Sequence, residues 1–161
     1  MAADASLAAQ NNSGTLPPVP LTRKLQRLLD ELSAIDDPQE RLAAVVDRAR
    51  RHPPLPPSER TDAHRVRGCV SVVWLVGEMR AGHCHFRSDA ESPVVRGLLA
   101  LLCEFFNGAT PAQVLAFDSN PLDAAGLTRN LSPTRRHGLA SAHAAIREFA
   151  RSQAAPLAPA S

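Results

Sequence analysis

Along the chain, apolar residues recur in some segments every three or four positions, as in a helix, and in others at alternate positions, as in a strand. Leucine and isoleucine recur every three or four positions from Leu21 to Ile35, which predicts an amphipathic helix. The run Asp37-Pro38-Gln39-Glu40 predicts the start of a second helix, because Asp is a good N-cap and Pro suits the first helical turn. The prolines between His52 and Ser58 must end that helix, since proline has no amide donor.

The middle of the chain has the pattern of a β-hairpin. A valine-rich stretch from Cys69 to about Met79 is apolar on both faces and predicts a central strand. Arg80-Ala81-Gly82 predicts a turn, and His83 to Ser88 alternates apolar with polar residues as its antiparallel partner.

Three more helices are predicted after the hairpin. Ser92-Pro93 begins a long helix that is apolar nearly all round and therefore central, and Asn107-Gly108 ends it. Thr110 and Gln113 form a capping box for a short helix, and Ser132-Pro133 begins the last one. We expect an α+β domain over residues 21–151, with tails at residues 1–20 and 152–161.

Composition narrows the functional classes. The chain has 161 residues, enough for one domain with a core, and a net charge of only +2, which argues against a dedicated nucleic-acid binder. No apolar run approaches the length of a membrane span, and the first twenty residues contain no basic residue, so neither a membrane segment nor a secretory signal is expected. Three cysteines without a signal favour free thiols in a cytoplasmic protein.

Cys69 is the main candidate for chemistry. It lies where a basic loop meets the predicted strand, and Arg65 and Arg67 nearby would favour its thiolate, the reactive form. Val66, Val70 and Trp74 are nearby apolar residues that could line a protective pocket. The alternative is a buried structural cysteine, the commoner role for this residue type.

The other candidates have plainer interpretations. Cys84 and Cys103 fall inside a strand and a helix, where a cysteine is usually a small core residue. His83 and His85 share one strand face and could bind a metal, but no further ligand motif completes a site. Arg135 follows a helix start and is either an exposed basic residue or a contact for a partner.

Several motifs in order resemble the SufE/CsdE family of sulfur acceptors. The similarity covers roughly residues 21–150 and includes the pattern Gly-Cys-x-Ser-x-Val-Trp. The matching segments are Pro53–Pro56, Arg65–Trp74, His85–Asp89, Val94–Ala100 and Gly126–Leu139. The resemblance implies a SufE/IscU-like fold, with an antiparallel sheet of about three strands covered on one face by helices.

The resemblance also implies a function and a set of site residues. Proteins of this family take persulfide sulfur from a pyridoxal-phosphate (PLP) cysteine desulfurase of SufS/CsdA type and stimulate that enzyme. They pass the sulfur to an iron–sulfur scaffold such as a SufB-containing complex or to another acceptor. Cys69 would carry the sulfur. The residues expected to support its loop or bind the partner are His64, Arg65, Arg67, Gly68, Ser71 and Arg135.

Two other functions stay open at this point. One is an IscU-type cluster scaffold, which needs several cysteines at one metal site. The other is a small zinc or structural domain that uses Cys69 with His64 and the hairpin histidines. The chain shows no cofactor site of its own, and PLP would belong to the desulfurase.

Overall fold

The computed structural model describes residues 19–67 and 72–154 as an α+β domain, which confirms the predicted class. None of the described helices is long and apolar enough to cross a membrane. The last helix continues three residues past the predicted domain boundary at residue 151. The helices are α1 (Leu21–Ser33), α2 (Pro38–Ala49), α3 (Pro93–Phe106), α4 (Pro111–Ala116), α5 (Pro121–Ala124) and α6 (Pro133–Ala154), with a 3₁₀ turn at Asp62–His64.

The predicted helix starts are found at the polar residues that precede proline. The Asp37 side chain accepts a hydrogen bond from the Gln39 amide, and Ser92 accepts one from the Val95 amide. Thr110 and Gln113 form the predicted capping box at the start of α4. Each cap satisfies an amide that the first helical turn leaves without an intrahelical acceptor.

The hairpin consists of β1 (Val73–Arg80) and β2 (His83–Ala90), paired antiparallel from Val73–Ala90 to Arg80–His83. Ala81 and Gly82 join the strands, and both have positive φ angles, +51° and +83°. A two-residue turn with this conformation matches the twist of the strands it connects. The turn lies where the sequence predicts it, but β1 begins at Val73 rather than at Cys69, with Val72 outside the strand, and β2 continues to Ala90, two residues past the predicted end.

The third strand is reduced to a single bridge within the described residues. Arg65 pairs with Trp74 on the free edge of β1, outside any named strand. On the outer edge of β2, the Cys84 amide donates to the Ala109 carbonyl at 2.7 Å, and the Gly108 amide donates to the Cys84 carbonyl at 2.9 Å. The described sheet thus has two strands rather than about three, because one isolated bridge beside β1 and two loop hydrogen bonds beside β2 take the place of a third ladder.

One face of the sheet carries the core. Cys84, Phe86 and Ala90 of β2 are buried on this face beside α3, and the ring of Phe149 in α6 contacts Phe86 edge to face at 5.4 Å. Gly77 allows this approach, since a Cβ there would lie 2.9 Å from the Phe149 ring. The position of α6 relative to β1 therefore depends on a residue without a side chain.

The other face of the sheet is covered by a largely irregular segment rather than by an α-helix. Residues 55–67, called the approach segment below, run from the proline-rich stretch to the start of the loop before β1. Contacts from this segment reach Asp89 and Arg87 of β2 and Trp74 of β1. These residues share a face because side chains alternate along a strand and Trp74 pairs with Asp89.

Candidate functional site

The approach segment is held at its beginning by Asp89. This carboxylate is only 2% exposed, and it accepts hydrogen bonds from the Leu55 amide at 3.2 Å, the Ala90 amide at 2.8 Å and the Arg96 guanidinium at 3.1 Å. A buried carboxylate needs such donors to offset its loss of water. Asp89 thereby joins the approach segment to the end of β2 and the start of α3.

A second attachment lies in the middle of the approach segment. The guanidinium of Arg87 donates to both carboxylate oxygens of Glu59, each at 2.6 Å. This paired geometry is the strongest form of an arginine–carboxylate contact. It lowers the pKa of Glu59 and raises that of Arg87, mainly through the hydrogen bonds between them. His64 adds a local contact, with its Nδ1 at 2.9 Å from the Glu59 carbonyl oxygen.

Trp74 lies on the same face as the approach segment and is only partly buried. The guanidinium carbon of Arg60 lies 6.0 Å from the centre of its ring, within the range of a cation–π contact. Whether Trp74 also lines a pocket for Cys69 stays a prediction, because Cys69 lies outside the described residues. Its neighbour Leu75 points to the opposite face, as strand alternation requires.

The last attachment fixes both ends of the loop that contains Cys69. The Val66 amide donates to the Val73 carbonyl at 2.8 Å, and Val66 is 6% exposed. Six residues, 67–72, join these two valines in the chain. The predicted site residues Gly68, Cys69 and Ser71 are in this loop, as is Val70, and all four lie outside the described residues.

A groove of about 520 Å³ lies beside the point where this loop begins. Three of the predicted site residues, His64, Arg65 and Arg67, line it together with Val66. Its other walls are apolar or small. They consist of Leu75 and Gly77 of β1, Phe86 of β2, and Ser141, Ala144, Ala145, Glu148 and Phe149 of α6, with Ala63 at the loop side.

The charge of the groove is carried mainly by two arginines. Arg65 and Arg67 are both exposed, and neither forms an ion pair in the part of the chain that the structure describes. The single acid in the lining, Glu148, is already paired with Arg151 one helical turn away. The loop side of the groove therefore presents uncompensated positive charge.

Arg135 lies apart from this group. It is exposed in the first turn of α6, where its amide donates to the Ser132 hydroxyl at 3.3 Å, and it is not among the residues that line the groove. The structure thus brings His64, Arg65 and Arg67 together but leaves Arg135 outside the groove.

The two described cysteines are core residues, as predicted. Cys84 is fully buried and Cys103 is 4% exposed. Burial raises the pKa of the Cys84 thiol and raises that of Cys103 to about 12, so both stay protonated at neutral pH. His83 and His85 pair with Arg80 and Glu78 across the hairpin, and no group of three potential metal ligands occurs among residues 19–67 and 72–154.

Sequence reasoning missed the residues that hold the approach segment. Asp89, Glu59 and Arg87 make their contacts across 28 to 34 residues of sequence, so no local pattern indicates them. One signal was available. Asp89 follows strand residues that are buried on alternate positions, and an acid so close to a core strand needs a partner.

Comparison with known proteins identifies the family of this chain. The model of the SufE family, described as an Fe-S metabolism associated domain, matches residues 26–150. This chain belongs to the SufE family. Membership implies a role in sulfur transfer for iron–sulfur metabolism, and the match includes the whole approach segment, both strands and most of α6.

Individual relatives extend the comparison. An uncharacterized SufE-like protein of Rhizobium etli is 32% identical over 136 residues, which cover 81% of this chain and 92% of that protein. A chloroplastic quinolinate synthase of Oryza sativa is 37% identical over 123 residues, 76% of this chain but only 17% of the rice protein. The solution structure of a hypothetical protein from Thermus thermophilus shares the fold, with a TM-score of 0.64, 22% identity, and coverage of 85% of this chain and 97% of that one.

Proposed function

We propose that this protein accepts sulfur on Cys69 from the persulfide of a PLP-dependent cysteine desulfurase and passes it to an iron–sulfur scaffold. The Cys69 thiolate attacks the terminal sulfur of the donor's persulfide. The S–S bond of the donor breaks, its cysteine leaves as a thiolate, and Cys69 then carries the sulfur as a persulfide. No electrons are gained or lost in this exchange, so it needs no redox cofactor.

The observation that supports the proposal best is the fixed geometry around the Cys69 loop. The hydrogen bond from Val66 to Val73 holds both ends of the loop together. Only six residues connect these positions, and the groove lined by Arg65 and Arg67 lies beside the start of that loop, so we propose that the thiol works next to this groove. A carrier needs this combination, since its thiol must stay near cationic groups and remain within reach of a partner.

The remaining predicted residues have proposed roles of two kinds. His64 and Arg65 support the loop through the Glu59 carbonyl and the bridge to Trp74. Gly68 and Ser71 flank Cys69 in sequence and are proposed to give its loop the freedom to present the thiol. Arg135 is exposed away from the groove and is proposed to contact the partner directly.

The scaffold alternative is less well supported. A scaffold binds its cluster through thiolates that converge on the metal. Cys84 and Cys103 are buried, and burial raises the pKa of both thiols, which disfavours the form that binds metal. The zinc alternative would use His64, whose Nδ1 already faces the Glu59 carbonyl.

The experiment is a desulfurase assay with a SufS-type enzyme and cysteine as substrate. We expect turnover to increase when the wild-type protein is added and to stay at the basal rate with Cys69→Ala. Cys103→Ala is the matched control, because it removes a thiol from the core and leaves the loop intact. Equal stimulation by wild type and Cys69→Ala would contradict the proposal.

A further inference from the structure

Two arginines that line the groove beside the Cys69 loop form no ion pair among the described residues. Arg65 and Arg67 form one rim, are exposed, and have no ion-pair partner among residues 19–67 and 72–154. Elsewhere on the described surface, arginines such as Arg48, Arg80 and Arg87 are paired with carboxylates. On the described surface, unpaired exposed arginines also occur elsewhere, for example Arg23 and Arg51, so the groove is distinguished by two unpaired cations that adjoin an apolar lining beside the Cys69 loop.

Part of the α6 side of the groove consists of small residues, which leave room for the backbone of an inserted segment. Ser141, Ala144 and Ala145 of α6 lie there, within about two helical turns of Phe149. The volume, about 520 Å³, is within the range in which proteins accommodate ligands or short inserted segments. The lining thus combines two cations from the loop side, apolar residues of the sheet at Leu75 and Phe86, and small residues of α6.

We propose that this groove receives an acidic segment of the sulfur donor, with carboxylates of the donor against Arg65 and Arg67. The inference rests on the proposed function, because that function names the donor. Exposed cations contribute more to the rate and orientation of association than to tight binding of a small anion. Arg67 is the first residue of the loop that contains Cys69, so an occupant of the groove is delivered next to that loop.

The chemistry of the rim selects a protein segment over nucleic acid. Binding to a phosphate backbone uses many cations along an extended surface, whereas this groove offers two and the whole chain has a net charge of only +2. A short acidic peptide with apolar neighbours matches both the two arginines of the rim and the apolar residues of the sheet.

The first experiment needs no sulfur chemistry. Backbone amide NMR shifts are followed while a short peptide of Asp and Glu is added, with a peptide of Lys and a short oligothymidine as comparisons. We expect shifts for the acidic peptide that cluster at Arg65, Ala144 and Ala145 and disappear in Arg65→Glu/Arg67→Glu. They should persist in Arg23→Glu/Arg27→Glu, which makes the same charge change at exposed arginines of α1 that are outside the groove and also lack an ion pair among the described residues.

The second experiment measures the complex with a SufS-type desulfurase at increasing salt. Arg65→Glu/Arg67→Glu should weaken binding about tenfold at low salt and reduce its salt dependence, and Arg65→Lys/Arg67→Lys should stay close to wild type. If Arg65→Glu/Arg67→Glu binds the desulfurase as tightly as the wild type and still accepts sulfur, the groove assignment is overturned and the proposed function stands. Shifts spread over the surface, or equal binding of oligothymidine in the groove, would also overturn the groove assignment.

Discussion

Trp74 and Leu75 are neighbours in β1 that serve opposite faces of the sheet. Leu75 borders the groove, and Trp74 lies under the approach segment with Arg60 against its ring. Because Trp74 is partly exposed, we expect Trp74→Ala to cost roughly 1–2 kcal/mol, below the roughly 3–5 kcal/mol of a buried aromatic residue. Chemical denaturation measures this change, with Trp74→Phe as the control that keeps a ring. A loss as large as that of a core aromatic would show that the ring is fully packed.

His143 gives the protein a pH dependence of known sign. Its ring stacks on Phe106, and its Nε2 is buried with no hydrogen-bond partner among the described residues. Burial lowers its pKa below the ordinary value of 6.5, and Arg147 lowers it further, while Asp123 acts in the opposite direction. The unfolded chain therefore takes up this proton first as the pH falls. Stability from this residue is complete above pH 6.5 and is lost below it.

The variant His143→Phe tests this dependence, because it keeps an aromatic ring against Phe106 and removes the titrating group. Denaturation midpoints of both proteins are compared above and below pH 6.5. We expect the wild type to lose more stability than the variant on acidification. An identical loss in the two proteins would mean that His143 takes up its proton equally in both states.

At the scale of elements, the approach segment is the part of the fold that positions the site. The Glu59–Arg87 pair is its central attachment. We expect Glu59→Ala to leave the melting temperature nearly unchanged, since the pair is at the surface. The same variant should speed tryptic cleavage after Arg60, Arg65 and Arg67, because local opening precedes proteolysis.

The matched control is Asp47→Ala, which removes the carboxylate of another surface ion pair, with Arg50 at the end of α2. Its cleavage after Arg60, Arg65 and Arg67 should match that of the wild type. Equal cleavage rates in Glu59→Ala and Asp47→Ala would show that the contact between Glu59 and Arg87 does not restrain the approach segment.

The elements differ in how well the sequence predicts them. Helix starts at Asp37, Ser92 and Thr110 follow from caps close to each start in the sequence, and the hairpin follows from alternation around Ala81-Gly82. These signals are local. The packing of the approach segment on the sheet depends on pairs such as Leu55–Asp89, distant in sequence, so the pattern indicates a loop but not its position.

The part of the candidate site that is close to Cys69 in sequence could be predicted, whereas the distant part could not. His64, Arg65 and Arg67 are close to Cys69 in sequence, and the structure gathers them along one groove. The α6 wall of that groove, at Ser141, Ala144 and Ala145, consists of small residues with no chemical signature. The sequence alone does not mark such residues as part of a site.

For the whole molecule, the packing of α2 on α3 is a close helix contact that depends on a glycine. A Cβ at Gly97 would lie 2.8 Å from the Val46 Cα, which is a backbone atom and cannot rotate away. We expect Gly97→Ala to destabilise the protein by roughly 1–3 kcal/mol, as overpacking of a core does. Val46→Ala should not rescue it, because the clash is with the main chain. Rescue in the double variant would show that the clash is with the Val46 side chain rather than with its main chain.

The central claim is that Cys69, and not Cys84 or Cys103, is the residue that carries the sulfur. The most direct measurement is intact mass, followed by peptide mapping, after incubation with a SufS-type desulfurase and cysteine under reducing-agent-free conditions. We predict added sulfur on wild type and on Cys103→Ala, located on Cys69, and none on Cys69→Ser. Sulfur on Cys84 or Cys103 of Cys69→Ser at the wild-type yield would contradict the account.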